Sequence, residues 1–223
     1  MEMCDFFRNF AGERQPYQLI TMKHILRLLL VAIAMLNVQC AVADNGGSEN
    51  VALQNIMTRT SIRSWTDEPV SPEMTEQLLR AAMAAPTAVN KQPWHFVVLN
   101  EREALDALAE NTGRGGGMLR KAPLAIVVCG NMNLALDGKA REYWVQDASA
   151  ATENLLLAAN ALGLGAVWTG VYPIEERVAA TSQALHLPSN LIPLCTVIIG
   201  HPAESPTPKD KWDPAKVTYN IPK

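Results

Sequence analysis

The chain has 223 residues, a formal net charge of −3, and 48% hydrophobic against 18% charged residues. That is enough chain for one domain with a real core, and the balance excludes a disordered tail. It also excludes long-range attraction to nucleic acid, so any basic residue that matters acts locally.

The N-terminal part reads apart from the rest. From Met22 the order is MKHILRLLLVAIAMLNVQCAVADN: Lys23 and Arg27 lead, an uncharged apolar run follows from Leu28 to Leu36, and Ala41-Val42-Ala43 closes it. A positive start, a short apolar run and a small-x-small ending are the three parts of a secretory leader, cleaved after Ala43 to give a periplasmic protein. The run is shorter than the ~20 apolar residues a spanning helix wants, so no stable membrane span is expected in the mature chain. Residues 1–43 are read as upstream residues plus a signal peptide, 44–50 as a polar linker, and 51–223 as the functional domain. Two alternatives stay open. One is a retained leader on a cytoplasmic protein; the other is a lipid anchor at Cys40, which Gln39 disfavours by standing where a small residue is needed.

A short helix to about Met57 opens the domain, and the extended segment TRTSIRSW follows. Ser71 is placed as an N-cap with Pro72 at the first helical position; Met74, Leu78, Ala81, Ala82 and Ala85 then recur at helical spacing until Pro86 stops the helix. The loop PTAVNKQPW leads into a strand, HFVVL. A helix over 101–110 ends in TGRGGG, and a second strand, LAIVVC, follows. The longest helix is predicted from about Tyr143 to Leu162, with apolar residues on much of both faces, so it belongs in the middle of something. Gly163 and Gly165 end it. A short strand AVW, a helix in PIEERVAATSQAL, a last strand LCTVIIG and a polar tail complete the order. Cys129 and Cys195 fall inside strands, where buried thiols are the default and a cross-strand bridge stays open. Helices and strands mix around one sheet, which gives an α+β or α/β class.

The usual catalytic patterns are missing. His24, His95, His186 and His201 fall at no metal-binding spacing, and there is neither a G-x-S-x-G elbow nor a P-loop lysine. GRGGG precedes a strand instead of linking a strand to a helix, so it is no dinucleotide fingerprint. Four polar segments remain. Arg59, Thr60, Ser61 and Arg63 set two guanidinium groups and two hydroxyls together; in an extended segment 59, 61 and 63 share a side, which suits a phosphate as well as a solvated edge. Asn90 and Gln92 sit in a proline-bracketed loop, where their amides suit the edge of a heteroaromatic ring or simply a turn. In VWTGVYP, Gly170 lets backbone approach a flat ligand. Lys209 and Lys211 add two cations late in the chain, where a solvent-facing basic tail is the ordinary alternative.

In order and spacing these segments resemble the nitroreductase family of flavin-dependent oxidoreductases. The likeness runs from Ile56 to Trp212 through R-x-S-x-R at 59–63, P-T-A-x-N-x-Q-P-W at 86–94, the helix QDASAATENLLLAANALGLGAVW, T-G-V-Y-P at 169–173, I-I-G-H-P at 198–202 and the late K-x-K. The resemblance implies an α+β three-layer sandwich, with a central mostly antiparallel sheet flanked by helices, in an intertwined homodimer whose partner buries the long helix. It implies bound FMN, NADH or NADPH as donor, ping-pong turnover and a small nitroaromatic or quinone acceptor, with no catalytic side chain because the flavin carries the chemistry. Arg59 and Ser61, with Lys209 and Lys211, would then hold the FMN phosphate and ribityl chain, and Arg63 would stand near the pyrimidine end. Pro86, Thr87, Ala88 and Asn90 would come from the partner, and the backbone of Trp168, Thr169 and Gly170 would face the ring. Thr60 and Gln92 complete the cofactor-binding set, and Asn111 is a further candidate. Some members carry glutamate at the position of Thr169, which leaves the surroundings of the flavin N5 open. Other flavin chemistry of the same family, a non-enzymatic flavin-binding protein and a structural envelope protein are the alternatives. No twin-arginine pair precedes the apolar run, so an exported chain would cross unfolded and acquire FMN outside.

Overall fold

The computed structural model describes residues 50–112 and 115–220, which fall in the unit Val51–Lys223 apart from Asn50. The leader, its Ala43 cleavage site and the Cys40 alternative lie outside the described residues. Among the described residues no helix is long and apolar enough to cross a membrane.

The chain runs α1 (Val51–Thr58), α2 (Pro72–Met83), a 3-10 turn (Ala88–Asn90), β1 (Trp94–Leu99), α3 (Arg102–Asn111), α4 (Gly116–Leu119) and β2 (Leu124–Asn131). It continues through α5 (Tyr143–Ala161), β3 (Gly165–Gly170), α6 (Glu175–Ala184) and β4 (Leu191–Gly200). The four strands form one antiparallel sheet in the order β1-β2-β4-β3. The α2 start is as the sequence predicts: the Ser71 hydroxyl accepts the Met74 N–H at 3.2 Å and Pro72 opens the helix.

Helices cover both faces of the sheet. On one, Leu78 and Ala82 of α2 and Trp144, Ala148, Ala151 and Leu155 of α5 pack with Ile126 and Val128 of β2 and Val197 and Ile199 of β4. On the other, Leu105 and Leu108 of α3 and Leu119 of α4 pack with Ala125 and Val127 of β2 and Ile198 of β4. The inner strands β2 and β4 therefore read as continuous apolar runs, because both of their faces are dry. These are the three layers and the α+β class that the resemblance implies.

One expectation is refined. Leu155 is 0% exposed within a single chain, so the apolar breadth of α5 is accounted for first by its own sheet and α2. More than half of its residues stay exposed or half-buried in a single chain, among them Tyr143, Gln146, Ala150, Glu153, Leu157 and Ala161. Cys129 and Cys195 are free and buried, as the default reading has it: Cys129 packs on the α3 side and Cys195 on the α5 side, which closes the alternative of a bridge between them.

Candidate functional site

The arginine segment is stitched to the outer edge of β3. Ser61 bridges Ala166, the Ile62 N–H donates to the Ala166 carbonyl at 3.0 Å, and the indole N–H of Trp65 donates to the Gly165 carbonyl at 2.8 Å. Ile62 and Trp65 are buried, which anchors the segment while leaving its polar residues on the surface. A Cβ on Gly165 would overlap the Ile62 side chain, so only glycine permits this seat. The stretch after β4 is tied to the same segment: the Ala203 N–H donates to the Ser64 carbonyl at 2.9 Å, and the Arg63 N–H donates to the Glu204 carboxylate. These bonds carry the C-terminal lysines to the arginines.

Arg59, Thr60, Ser61, Arg63, Lys209 and Lys211 thereby line one cavity of about 730 Å³. Ile56 and Met57 of α1, Glu153 of α5, Asp210 and Trp212 complete much of its wall. Four cations face two acids, so the cavity is net positive. Arg59 pairs with Glu153 at 3.3 Å, its side chain 19% exposed against 50% for the acid. Arg63, Lys209 and Lys211 form no ion pair with any described residue, which leaves three cations available to an anion. Such a set suits a phosphoryl group: guanidinium forks, ammonium charges and hydroxyls supply charge-assisted hydrogen bonds.

A second cavity of about 500 Å³ lies at the end of β3. Thr169 and Gly170 line it together with Asn111, Met118, Leu119, Arg177, Thr181 and Thr196. The Thr169 hydroxyl donates to the Thr196 carbonyl at 2.8 Å, and an Arg177 N–H donates to the Gly170 carbonyl at 3.1 Å. Among the described residues the buried hydroxyls of Thr112, Thr181 and Thr196 find no hydrogen-bond partner, and all three residues line this cavity. Its lining is thus mostly apolar, with hydroxyls, the Asn111 amide and the charged Glu176 and Arg177 among its polar groups, as binding cavities for small rings are. A Cβ on Gly170 would meet nothing within 4 Å, so open space lies against this backbone. Trp168 turns its side chain toward the α5 face and lines neither cavity.

Pro86, Thr87, Ala88, Asn90 and Gln92 also line neither cavity. Their loop is held at one end by the Ala88 N–H, which donates to Asp147 Oδ1 at 2.8 Å. Within it the Gln92 N–H donates to the Thr87 hydroxyl at 3.0 Å, and the Gln92 amide donates to the Asn90 side-chain oxygen at 3.0 Å. So the two amides singled out in the sequence pair with each other in a single chain. Glu153 in the cavity wall and Asp147 beneath the loop are additions that motif reading missed, since a polar residue on a helix looks solvated. Among the described residues no group of His, Cys, Asp or Glu could hold a metal ion.

Comparison with known proteins bears on this arrangement. The family model described as the nitroreductase family matches residues 56–115 and 110–201. A relative from Methanothermobacter thermautotrophicus, provisionally named an NADH dehydrogenase/NAD(P)H nitroreductase, is 43% identical over 174 residues, covering 78% of this chain and 89% of its own. The structure of a protein of the same provisional name from Bacteroides thetaiotaomicron superposes with a TM-score of 0.72 at 42% identity, over 78% of this chain and 99% of that one. A provisional nitroreductase from Desulfovibrio desulfuricans, solved in complex with FMN, superposes with a TM-score of 0.66 at 34% identity, over 79% and 99%. With the family model matching most of the chain and its length matched to such relatives, the chain belongs to the nitroreductase family.

Proposed function

We propose that this protein binds FMN and passes reducing equivalents from NADH or NADPH to a small oxidised acceptor of the nitroaromatic or quinone type, working as a homodimer with ping-pong turnover. The observation that carries the reading is the convergence of Arg59, Arg63, Lys209 and Lys211, far apart in sequence, on one cavity of phosphate-binding character. The Desulfovibrio relative solved with FMN and the NAD(P)H named for the Methanothermobacter relative support cofactor and donor.

When bound, FMN supplies the hydride and electron transfer, so the protein has to bind it, orient it and leave a face open. In this reading Arg59, Thr60, Ser61, Lys209 and Lys211 hold the phosphate and ribityl end. Arg63 lends its unpaired cation to negative charge at the pyrimidine end. The Trp168–Gly170 backbone, with open space against Gly170, receives the flat ring. The fit is chemical as well as spatial: a net positive cavity for a dianion adjoins a sheet edge, and a mostly apolar cavity whose one acid, Glu176, is balanced by Arg177 lies farther along β3.

The dimer is supported by surface that one chain leaves uncovered. No residue of α1 is buried, and Val51, Leu53, Ile56 and Met57 are more than half exposed, as are Val89 and Trp212. Of these, Ile56, Met57 and Trp212 lie together on one cavity wall, and exposed apolar groups so grouped suit a protein interface. Pro86, Thr87, Ala88, Asn90 and Gln92 would reach the cofactor across it.

The decisive test is spectroscopic. Purified protein, reconstituted with FMN if necessary, should be yellow and should bleach anaerobically with NADH or NADPH; a preparation that takes up no FMN, or a flavoprotein that neither dinucleotide reduces, refutes the proposal. The leader carries the further proposal of export with cleavage after Ala43. N-terminal sequencing of protein recovered from the periplasm would then begin at Asp44, and an intact leader would refute it.

A further inference from the structure

Asp147 is a buried carboxylate, 7% exposed, on the second turn of α5. It forms no ion pair with any described residue, and burying an unpaired acid is unfavourable unless hydrogen bonds compensate. The bond it makes is long-range: Oδ1 accepts the Ala88 N–H at 2.8 Å. Among the described residues this is the only hydrogen bond joining residues 86–92 to another element, since the others close the loop on itself.

The loop so held is strained. Val89, Asn90 and Gln92 have φ of 43°, 56° and 50°, and a β-branched residue in the left-handed region is a genuine outlier. Such conformations persist only where their surroundings over-determine them, and they cluster at functional sites. Nothing within the chain compensates by burying the strained residue, because Val89 is 79% exposed. A strained, outward-facing loop with one external anchor has the character of a preformed docking surface, whose ordering cost is met before binding.

We infer that Asp147 is a positioning residue that, through the Ala88 N–H, holds the Pro86–Gln92 loop in its left-handed form as a preformed lobe for the cofactor cavity of a second copy of this chain. The inference rests on the proposed flavin-binding dimer, and the experiment separates the two. Asp147→Ala removes the acceptor, whereas Asp147→Asn keeps Oδ1 and loses only the charge. Hydrogen–deuterium exchange, which needs no cofactor, should show residues 87–92 exchanging at least tenfold faster in Asp147→Ala and within threefold of wild type in Asp147→Asn. In the same pair FMN should bind at least tenfold more weakly to the alanine variant, with a weakened visible circular-dichroism band, and near-normally to the asparagine variant. Ala88→Pro deletes the same bond from the donor side. Thr87 already has the extended backbone (φ −136°, ψ 159°) that a following proline requires, so this variant keeps the test open if Asp147→Ala does not fold. It should reproduce both losses. Unchanged exchange in Asp147→Ala or Ala88→Pro, or an asparagine variant as defective as alanine, overturns the inference. Faster exchange with unchanged FMN affinity also overturns it. Wild-type protein that binds no FMN overturns the flavin reading instead.

Discussion

Arg59→Ala is the sharpest perturbation of the cationic cavity. The Arg59 side chain is 19% exposed, so its guanidinium is largely withdrawn from water, and a hydrogen bond to a charged group there contributes about 1.5–3 kcal/mol. Removing it also frees Glu153, now 3.3 Å from the guanidinium, to face the phosphate unneutralised. Two like charges roughly 6 Å apart repel by about 2.8 kcal/mol at an effective dielectric constant near 20, and Glu153 is half exposed, so a fraction of that survives. Together these losses come to about 3 kcal/mol, or roughly a hundredfold weaker binding of FMN. Fluorescence titration of apoprotein with FMN measures it, with thermal melts confirming that the fold is intact. The double variant Arg59→Ala/Glu153→Gln should recover about tenfold of the loss, and the Arg59 effect should shrink as salt rises. Binding within threefold of wild type in the single variant, or a double variant no better than the single, refutes the assignment of Arg59 to the phosphate.

Two further outcomes follow from the core. Leu155→Ala should lower unfolding stability by about 2–5 kcal/mol in urea or thermal melts, since Leu155 is fully buried within its own chain; a loss under 1 kcal/mol contradicts that placement. Burial raises both thiols, Cys129 and Cys195, from an ordinary 9.0 to about 12, with the Thr152 hydroxyl slightly opposing this at Cys195. The folded state therefore holds these protons more tightly than the unfolded one: its advantage is complete below about pH 9 and is lost as pH rises from there toward about 12. Near neutral pH Cys129 and Cys195 of the native protein should not react with Ellman's reagent, read by mass mapping of the labelled thiols, and the urea midpoint should fall in that alkaline window. An equal fall in Cys129→Ala/Cys195→Ala would remove the thiols as its cause.

The elements that the sequence showed most clearly are those whose periodicity has one physical reading. Ser71-Pro72 opens α2 because cap chemistry is local, and the continuous apolar runs of β2 and β4 are strands buried on both faces. Periodicity tells that a residue is buried but not by which chain: Leu155 and its buried neighbours on α5 are covered by their own sheet and α2, while the rest of the helix stays open in a single chain. The single turn α4 was hidden in a glycine-rich stretch that reads as loop. A Cβ on Gly116 would overlap the Ala109 carbonyl, so that glycine serves the close approach of α4 to α3. At the site, Arg59 to Arg63 and the late lysines were legible as segments and by resemblance. What joins them was not: the Gly165 seat, the Glu204 acceptor and the Ser64–Ala203 bond leave no pattern in a single sequence. Glu153 and Asp147 stayed hidden because their partners are set by tertiary contact alone.

The comparison of FMN with riboflavin tests the central claim most directly, because the two differ only by the phosphoryl group. If Arg59, Arg63, Lys209 and Lys211 grip that group, apoprotein binds FMN at least a hundredfold more tightly than riboflavin at low salt, and the gap narrows as salt is added. Equal affinity for the two at every ionic strength would contradict the account.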